Sequence, residues 1–512
     1  MISREDLALV VDLGTSGLKV GLAQLDGTLL ATRHASLSTT WLEGDGATQD
    51  ANEWWRLVVA LSQDLLKVGL ASRLRAVVVT GQYASVVPVS EDLEAVGPCV
   101  MWMDGRGARR VRERVGGPVA GYSPRAAWTL IRRTGGAPSL NGTDAIGGLL
   151  HLWHDEREVL TRARWLLEPV DFLVARFSGD VRTTHASMFA WWLTDNRRLT
   201  HFAYDQALLR LLGVSSERLA PLVAFGSIAG TVSRAASVAT GLPEGLPVLV
   251  GLPDLHAAAL GAGTNVLGGP AHLALSTTSW ISAPVAKKKT DIAHSIATTP
   301  GLDQSSYLVV DNHDVGAMAL EWVGHALDGS GAIDYEALLS EAASAPPGSG
   351  DVLFTPWLNG ERSPVDRHDA RGGFHHLSLQ TSRADLLRAT LEGVAYNSRW
   401  LLHYVERFVG ASFASLRVLG GGANSPLWCQ IHADVTQRPV EQLRDPMVAQ
   451  LRGGALAAGR TLGVISDDEL PSLAPIAHRY EPHEATKDRY ERLYQEFPRL
   501  MKSQSSMFRR LR

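Results

Sequence analysis

The architecture of the N-terminal part is set by residues 10–20, which read VVDLGTSGLKV. The apolar run 7–11 predicts a buried strand. A second apolar stretch, 20–25, stops at Asp26-Gly27, a dipeptide typical of tight turns between strands. Between the two strands, a turn rich in glycine, threonine and serine offers N–H groups and hydroxyls to an anion without crowding it. The segment therefore predicts a phosphate-binding hairpin, and an ordinary edge hairpin with a polar turn is the alternative.

Asp12 lies at the end of the first predicted strand. A carboxylate at this place can hold Mg²⁺ directly or through water molecules. The turn lacks the Gly-Lys-Ser/Thr ending of a P-loop. We therefore expect Lys19, on the second strand, to be solvated or ion-paired rather than to act as a P-loop lysine.

Composition restricts the class of protein. A chain of 512 residues is too long for one core, and two domains of about 250 residues are expected. The net charge of −4 gives no basic field to recruit nucleic acid or anionic membrane. Two distant cysteines argue for a reducing compartment and against disulfides or a zinc site. Because neither a signal peptide nor a long apolar run is recognisable, we expect a cytoplasmic protein without a membrane partner.

The two halves of the chain begin with similar sequence patterns. In the second half, Asp254 leads into a helix of small residues, and a strand at 272–276 runs into the turn 277–279, which resembles the turn at 12–16. This weak echo predicts two related α/β domains facing a shared cleft. We place them at residues 1–250 and 251–480, followed by a C-terminal tail at 481–512 with a frayed, solvated end.

Seven motifs then follow one another along the chain. They are DLGTS at 12–16, GQ at 81–82, WMDGR at 102–106, Asp254, STTS at 276–279, NGERSP at 359–364 and GGGANSPLW at 420–428. Together they resemble the FGGY family of carbohydrate kinases, in its xylulokinase-like branch, over about residues 7–460. The resemblance implies an α/β fold of two ribonuclease-H-like domains, as in the actin and sugar-kinase superfamily, around a central cleft. It also implies transfer of the ATP γ-phosphate to a sugar or polyol hydroxyl.

Phosphoryl transfer requires a positioned hydroxyl, neutralisation of phosphate charge and a base for the hydroxyl proton. We expect Asp254 to be that base, because it follows a buried strand and precedes a helix, where a carboxylate can reach the cleft. Asp254 could instead cap the helix that starts near Leu255. The two roles are compatible.

The resemblance also implies sites for the cofactors ATP and Mg²⁺. Asp12 would hold Mg²⁺, and glycines near the adenosine would let a flat purine lie against bare backbone. A tight packing turn at a helix N-terminus is the alternative for the glycine-rich loop. The residues expected to bind nucleotide are Gly14, Thr15, Ser16, Thr277, Thr278, Gly421, Gly422, Ala423 and Asn424.

On the sugar side, Gln82, Asp104 and Arg106 offer donors and acceptors, and Tyr83 and Trp102 could flank an apolar sugar face. Trp102 could equally pack in a core, and Arg106 could form an ion pair with Asp104.

For two further groups of residues, the sequence favours a structural role over a role in binding or catalysis. The charges of the segment 359–362 are expected to pair with each other rather than to touch substrate. The histidines at 256, 375 and 376 match no zinc pattern.

Three departures from the family pattern affect the expected function. Tyr83-Ala84 stands where xylulokinases usually have Met-His; Leu255 follows the catalytic Asp in place of Asn or Gly; and residues 277–280 lack the usual glycines. We expect a kinase of a pentulose such as xylulose, with D-xylulose itself not the best substrate. A pentitol or tetritol kinase is the alternative among enzymes, and a catalytically weak nucleotide-binding regulator is the alternative outside them. The apolar side of the helix at 385–409 could serve a homodimer or the core.

Overall fold

The computed structural model describes residues 2–329 and 331–511. The strands are β1 (Leu7–Leu13), β2 (Gly17–Gln24), β3 (Leu29–Ser36), β4 (Thr40–Leu42), β5 (Gly46–Gln49), β6 (Leu74–Gly81), β7 (Val87–Val89), β8 (Cys99–Val100), β9 (Gly116–Val119), β10 (Trp165–Leu167), β11 (Thr183–Thr184), β12 (Leu222–Val223), β13 (Ile228–Thr231), β14 (Pro247–Leu249), β15 (Leu252–Pro253), β16 (Ala271–Leu275), β17 (Ser279–Val285), β18 (Thr290–Asp291), β19 (Ile296–Pro300), β20 (Tyr307–His313), β21 (Leu353–Thr355), β22 (Gly373–His375), β23 (Leu416–Leu419), β24 (Val440–Leu443) and β25 (Ile476–Tyr480).

The α-helices are α1 (Ala51–Leu66), α2 (Ala108–Val115), α3 (Pro124–Arg133), α4 (Ala145–His154), α5 (Arg157–Arg162), α6 (Pro169–Ser178), α7 (Gln206–Leu212), α8 (Arg234–Thr240), α9 (Asp254–Gly261), α10 (Met318–Asp328), α11 (Tyr335–Ser344), α12 (Arg383–Val409), α13 (Pro426–Thr436), α14 (Ala449–Thr461) and α15 (Glu484–Arg510).

The N-terminal domain is built on one mixed sheet. Strands β1, β2 and β3 form an antiparallel meander, and β6 and β14 lie parallel to β1 on its other side. Every residue of β1 is buried, as expected of a central strand covered on both faces. The hairpin between β1 and β2 has Asp12 opposite Lys19, so the predicted strand–turn–strand segment is confirmed.

The C-terminal domain repeats this topology. Strands β16, β17 and β20 form the antiparallel meander, and β23 and β24 run parallel to β16 on its other side. The short echo between the turns predicted at 12–16 and 277–279 is therefore part of a repeat of the whole sheet. The expected pair of related domains is confirmed.

Helices α9 and α14 cross where the domains meet. An added Cβ at Gly261 would lie 1.9 Å from the carbonyl oxygen of Ala449, and one at Gly453 would lie 1.9 Å from that of Ala257. The two backbones approach closely because glycine lacks a side chain. This crossing holds the start of α9, and with it Asp254, between the two sheets.

The segment 481–512 is not a tail with a frayed, solvated end. Over its described residues it forms helix α15, which buries Tyr490, Leu493, Phe497, Met501 and Phe508 in the C-terminal core. Arg512 lies outside the described residues. An amphipathic helix gains more by burying these side chains than by remaining solvated.

The apolar side of α12 faces the same core. Leu387, Leu391 and Val394 are fully buried there, and Ser382 and Asp385 form a reciprocal cap at the start of the helix. Of the two roles left open by the sequence, packing in the core is therefore the one that this face has.

Candidate active site

Asp12 lies in a buried position at the end of β1. Its side chain is 8% exposed, and Lys19 Nζ lies 3.3 Å from its Oδ2. Of the two states expected for Lys19, solvated or ion-paired, the structure shows the ion pair. Burial raises the pKa of Asp12, and the Lys19 charge opposes that rise. Within the described chain, no hydrogen bond reaches Oδ1 of Asp12.

The turn after Asp12 exposes backbone and hydroxyl groups. Gly14 donates its N–H to the Gly17 carbonyl at 2.9 Å, which closes the turn. The side chain of Thr15 donates to Gln82 Oε1 and accepts from the Trp102 indole, both at 3.3 Å. Thr15 therefore links the predicted phosphate turn to two residues of the predicted sugar side. Ser16 is exposed.

Asp254 lies at the same edge of the N-terminal sheet. Strand β15 runs parallel to β6, with Pro253 opposite Gly81, so the carboxyl ends of β1, β6 and β15 bring Asp12, Gln82 and Asp254 together. Asp254 is half-buried and accepts the Leu255 N–H on Oδ1 at 2.6 Å. In the described chain, Oδ2 has no hydrogen-bond partner. This oxygen is therefore free to accept a hydrogen bond.

The Asp254 carboxyl is easily protonated. Burial raises its pKa to about 7, and the negative charge of Asp12 adds to the rise. The charge of Asp12 therefore acts on the protonation of Asp254, and the different surroundings of the two carboxylates suit them to different roles.

Gln82 belongs to a network that the sequence did not reveal. Its backbone N–H donates to the Leu13 carbonyl at 2.7 Å, and its side chain lies 3.5 Å from Gln49 Oε1. Gln49 in turn donates to the Thr15 carbonyl at 2.7 Å and accepts from the Trp54 indole at 3.1 Å. The only feature of the sequence that points to Gln49 is its position directly before Asp50, the residue that caps α1.

Asp104 and Arg106 form an ion pair, which is the second of the two roles considered for Arg106. Three Arg106 side-chain contacts reach the carboxylate at 2.7–3.1 Å, and Ala47 donates its N–H to Asp104 at 2.8 Å. The Asp104 side chain is fully buried, so it organises its own loop. Trp102 is half-buried between two apolar clusters and still reaches Thr15.

The loop that departs from the family pattern has a buried anchor. Glu168, which directly precedes α6, accepts the N–H groups of Ala84 at 3.0 Å and Ser85 at 3.4 Å and the Trp191 indole at 2.5 Å. Burial raises its pKa well above the usual range. Ala84 has a φ of 63°, which only a few non-glycine residues adopt.

Tyr83 directly follows Gln82 and packs against an aromatic ring. Its ring lies 5.0 Å from that of Phe189. Burial raises the pKa of its hydroxyl, and the charge of Asp254 raises it further.

The second domain contributes its own turn at the end of β16. Gly316 donates its N–H to the Thr277 carbonyl at 2.9 Å, and Ala317 donates to that of Ser276 at 2.7 Å. Thr277 is exposed and Thr278 is half-buried. Among the residues that the structure describes, neither hydroxyl has a hydrogen-bond partner, so both are available to a phosphate.

The glycine-rich loop lies directly beside that turn. Gly420 has a φ of 90°, and an added Cβ there would lie 2.5 Å from Ser276 Oγ. Gly421 and Asn424 are exposed, and an added Cβ at Gly421 would meet nothing within 4 Å. The other glycine-loop residues, Gly422 and Ala423, are buried behind this open face.

The expected pairing within the segment 359–362 is wrong. Glu361 lies 3.1 Å from His313 Nδ1 and accepts from Asn397 Nδ2 at 2.6 Å. Arg362 instead reaches Asp314, with Nη2 and Oδ1 3.4 Å apart. The side chains of Glu361 and Arg362 therefore each pair with residues distant in sequence and not with each other.

His256, one of the three histidines considered from the sequence, is buried and uncharged. His256 is fully buried, and its Nε2 lies 2.8 Å from the Pro300 carbonyl oxygen. Burial lowers its pKa to about 4, so the ring is neutral at physiological pH.

The two domains have sheets of the same topology, and crossing helices join them. The turns at 14–17 and 276–279 line the cleft between them. This arrangement defines the ribonuclease-H-like fold of actin and the sugar kinases. Residues 7–261 match the N-terminal domain of the FGGY family of carbohydrate kinases, and residues 274–462 match its C-terminal domain. The chain belongs to this family and is a carbohydrate kinase, which phosphorylates a sugar at the expense of ATP. No helix of the described chain is long and apolar enough to cross a membrane.

Relatives of known activity span nearly the whole chain. The xylulose kinase of Escherichia coli (strain K12) is 26% identical over 513 residues, covering 96% of this chain and 99% of that protein. The gluconokinase of Bacillus subtilis (strain 168) is 22% identical, covering 95% and 93%. The crystal structure of ligand-bound xylulose kinase from Lactobacillus acidophilus has a TM-score of 0.87 at 19% identity, covering 99% of this chain and all of that one.

Proposed function

We propose that the protein is an ATP-dependent kinase of a pentulose such as xylulose, with Asp254 as the general base. The observation that supports this most directly is the half-buried Asp254 carboxylate, whose Oδ2 has no partner in the described chain and whose pKa is about 7. A base of that pKa combines a large ionised fraction at neutral pH with good proton affinity.

The residues divide the work of phosphoryl transfer. Asp254 accepts the proton of the sugar hydroxyl as its oxygen forms the new bond to the γ-phosphorus, and the bond from phosphorus to the bridging oxygen of ADP breaks. Thr15, Ser16, Thr277 and Thr278 present donors to the phosphates from both domains. The products are ADP, a sugar phosphate and a proton held on Asp254.

The buried Asp12 carboxylate fits the divalent cation, because its only ion pair in the described chain is the long contact to Lys19 and its Oδ1 is free. When bound with the nucleotide, Mg²⁺ supplies neutralisation of the phosphate charge. The open face of Gly421 and Asn424 fits the adenosine.

On the sugar side, Gln82, Tyr83 and the exposed part of Arg106 are proposed to contact the substrate, while Asp104 acts through Arg106. A pentulose is favoured because xylulose kinases recur among the relatives. A sugar alcohol is the second candidate. It is favoured by Ala84, which has no polar side chain and whose N–H is already taken by Glu168.

The test is ADP release with Mg²⁺–ATP and a panel of pentuloses, pentitols, tetritols and gluconate. We expect a pentulose or pentitol to give the highest kcat/KM. Asp254→Asn should reduce kcat about 10²–10⁴-fold and leave ATP binding intact. Asp488→Asn, on the exposed side of α15, is the matched control and should retain wild-type turnover. An inactive wild type on the whole panel would overturn the proposal, and so would an active Asp254→Asn variant.

A further inference from the structure

The loop that contains Arg362 is fixed to the strand behind the phosphate turn of the second domain. Glu361 is 2% exposed and contacts His313 and Asn397. His313 ends β20 and pairs with Ser279, which directly follows the turn at 276–278. Arg362 also donates its backbone N–H to Glu361 Oε1 at 2.9 Å. The backbone of Arg362 is therefore held rigidly beside the turn.

Its side chain, by contrast, is loosely held. The Arg362 side chain is 45% exposed, and its ion pair in the structure is one contact of 3.4 Å to Asp314. Asp314 lies two residues before Gly316, whose N–H donates to the Thr277 carbonyl. The guanidinium group is therefore held by a residue of the segment that binds the Thr277 turn, and its single exposed contact leaves it free to exchange its partner.

The charges of the same loop also act on residues of the first domain. Arg362 and Asp254 act on the pKa of the Tyr83 hydroxyl in opposite directions, and Asp366, four residues on, raises the pKa of Tyr122 in the first domain. Ser363 donates to the His294 carbonyl at 3.3 Å. Arg362 thus belongs to a loop attached to the phosphate turn of the second domain, and its charge acts on Tyr83 of the first domain.

We propose that Arg362 binds the phosphoryl group in transit, contacting its oxygens from the second domain while the sugar hydroxyl attacks. This inference rests on the proposed function. Negative charge spreads over the equatorial phosphoryl oxygens in the transition state, and a guanidinium group matches two such oxygens with parallel N–H donors. Arg362 gives up its single contact to Asp314 and takes phosphoryl oxygens instead. Arg362 neither gains nor loses a proton in this step, and it forms no covalent bond.

The kinetic test compares Arg362→Gln and Arg362→Lys with Arg383→Gln. Arg383 is an arginine of similar exposure at the start of α12, where it pairs with Asp328 and Glu341. With the best sugar of the panel, Arg362→Gln should lower kcat about 10²–10³-fold, with the KM of the sugar changed less than about threefold. Arg362→Lys should fall between, because it retains charge without the planar fork. Arg383→Gln should match the wild type.

A binding measurement separates this role from a structural one. With sugar present, Arg362→Gln should lose the tight complex with Mg²⁺, ADP and aluminium fluoride, which imitates the phosphoryl group in transit. Its affinity for ADP alone and its Tm should be those of the wild type.

Unchanged kcat in Arg362→Gln would overturn the inference, as would an equal loss of affinity for ADP alone. A wild type that phosphorylates no sugar would instead overturn the proposed function.

Discussion

Two carboxylates of one cleft are given different tasks by their surroundings. Asp12 has a lysine at 3.3 Å, while Asp254, among the residues that the structure describes, has only a backbone N–H as partner and is repelled by Asp12. The first is therefore suited to remain charged beside a cation, and the second is suited to gain and lose a proton near neutral pH. Neither role is evident from residue type alone.

The raised pKa of Asp254 predicts the pH dependence of the reaction. A base must be ionised to accept a proton, and a raised pKa means that the proton is still held as the pH falls below about 7. At pH 6 about one enzyme in ten has the ionised form. The kcat/KM for the sugar should therefore rise about tenfold per pH unit up to about pH 7 and level off above it.

Initial rates from pH 5.5 to 8.5 check this, with Asp488→Asn as the control that should give the same profile. A profile that is flat between pH 5.5 and 7.5 would contradict the assignment of Asp254.

The pair Tyr83-Ala84 predicts the substrate order. A histidine at position 84 would offer a hydrogen bond to a sugar oxygen, whereas alanine leaves that oxygen unpaired at a cost of about 1–3 kcal/mol. D-xylulose should therefore not be the best substrate. Ala84→His should raise its kcat/KM relative to the preferred substrate by about 5- to 150-fold. Histidine also tolerates a positive φ better than most residues.

Competition assays with paired substrates give these ratios directly. Ala84→Ser, which adds a smaller polar group, is the matched variant and should shift the ratio less. If D-xylulose outruns every other sugar in the wild type, the prediction is wrong.

Among the elements, helix α15 is held by a buried polar cluster. Glu392 is fully buried and accepts from Tyr490 and Arg388 at 2.8 Å, from Ser349 at 2.8 Å and from the Gly348 N–H at 2.9 Å. Tyr490→Phe removes one donor from a buried carboxylate. We expect it to lower the free energy of unfolding by about 1–3 kcal/mol and to leave kcat unchanged.

Urea unfolding and turnover measured on the same preparations check this prediction. Tyr335→Phe removes a hydroxyl that is bound to Glu321 on the surface, and it should change stability by less than about 0.5 kcal/mol. Equal stability of the Tyr490→Phe variant and the wild type would show that the cluster does not hold the helix.

Local sequence patterns predicted the strands, helices and turns. The side-chain partners that the sequence did not show come from contacts between residues far apart in the chain. The hairpin at Asp12 and the helix of small residues that follows Pro253 could be predicted because strand, turn and helix signals are local, although Asp254 is the first residue of α9 and not its cap. Glu168 lies 84 residues from Ala84, whose N–H it accepts, and Arg362 pairs with Asp314 rather than with its neighbour. Such partners depend on how the sheets fold together, which one sequence does not specify.

For the whole molecule, the division of the site between two domains predicts closure. Thr15 and Asp254 follow strands of one sheet, and Thr277 and Gly421 follow strands of the other. A substrate that contacts both sets should draw them together and exclude water that would otherwise attack the γ-phosphate. Small-angle scattering with sugar and a non-hydrolysable ATP analogue should show a smaller radius of gyration. An unchanged profile in the doubly bound state would indicate a rigid site.

The crossing of α9 and α14 should control this closure, because the two helix backbones approach closely where the domains meet. A methyl group at position 453 would lie 1.9 Å from the Ala257 carbonyl oxygen, so Gly453→Ala must push the helices apart. Overpacking of this kind costs about 1–3 kcal/mol. Since α9 begins at Asp254, the shift should also move the base.

We therefore expect Gly453→Ala to lower Tm, to lower kcat and to reduce the compaction seen with both ligands. Gly373→Ala, where an added Cβ meets nothing within 4 Å, is the matched control and should behave as the wild type in all three measurements. If Gly453→Ala had wild-type Tm and compaction, the crossing could not be the element that sets the distance between the domains.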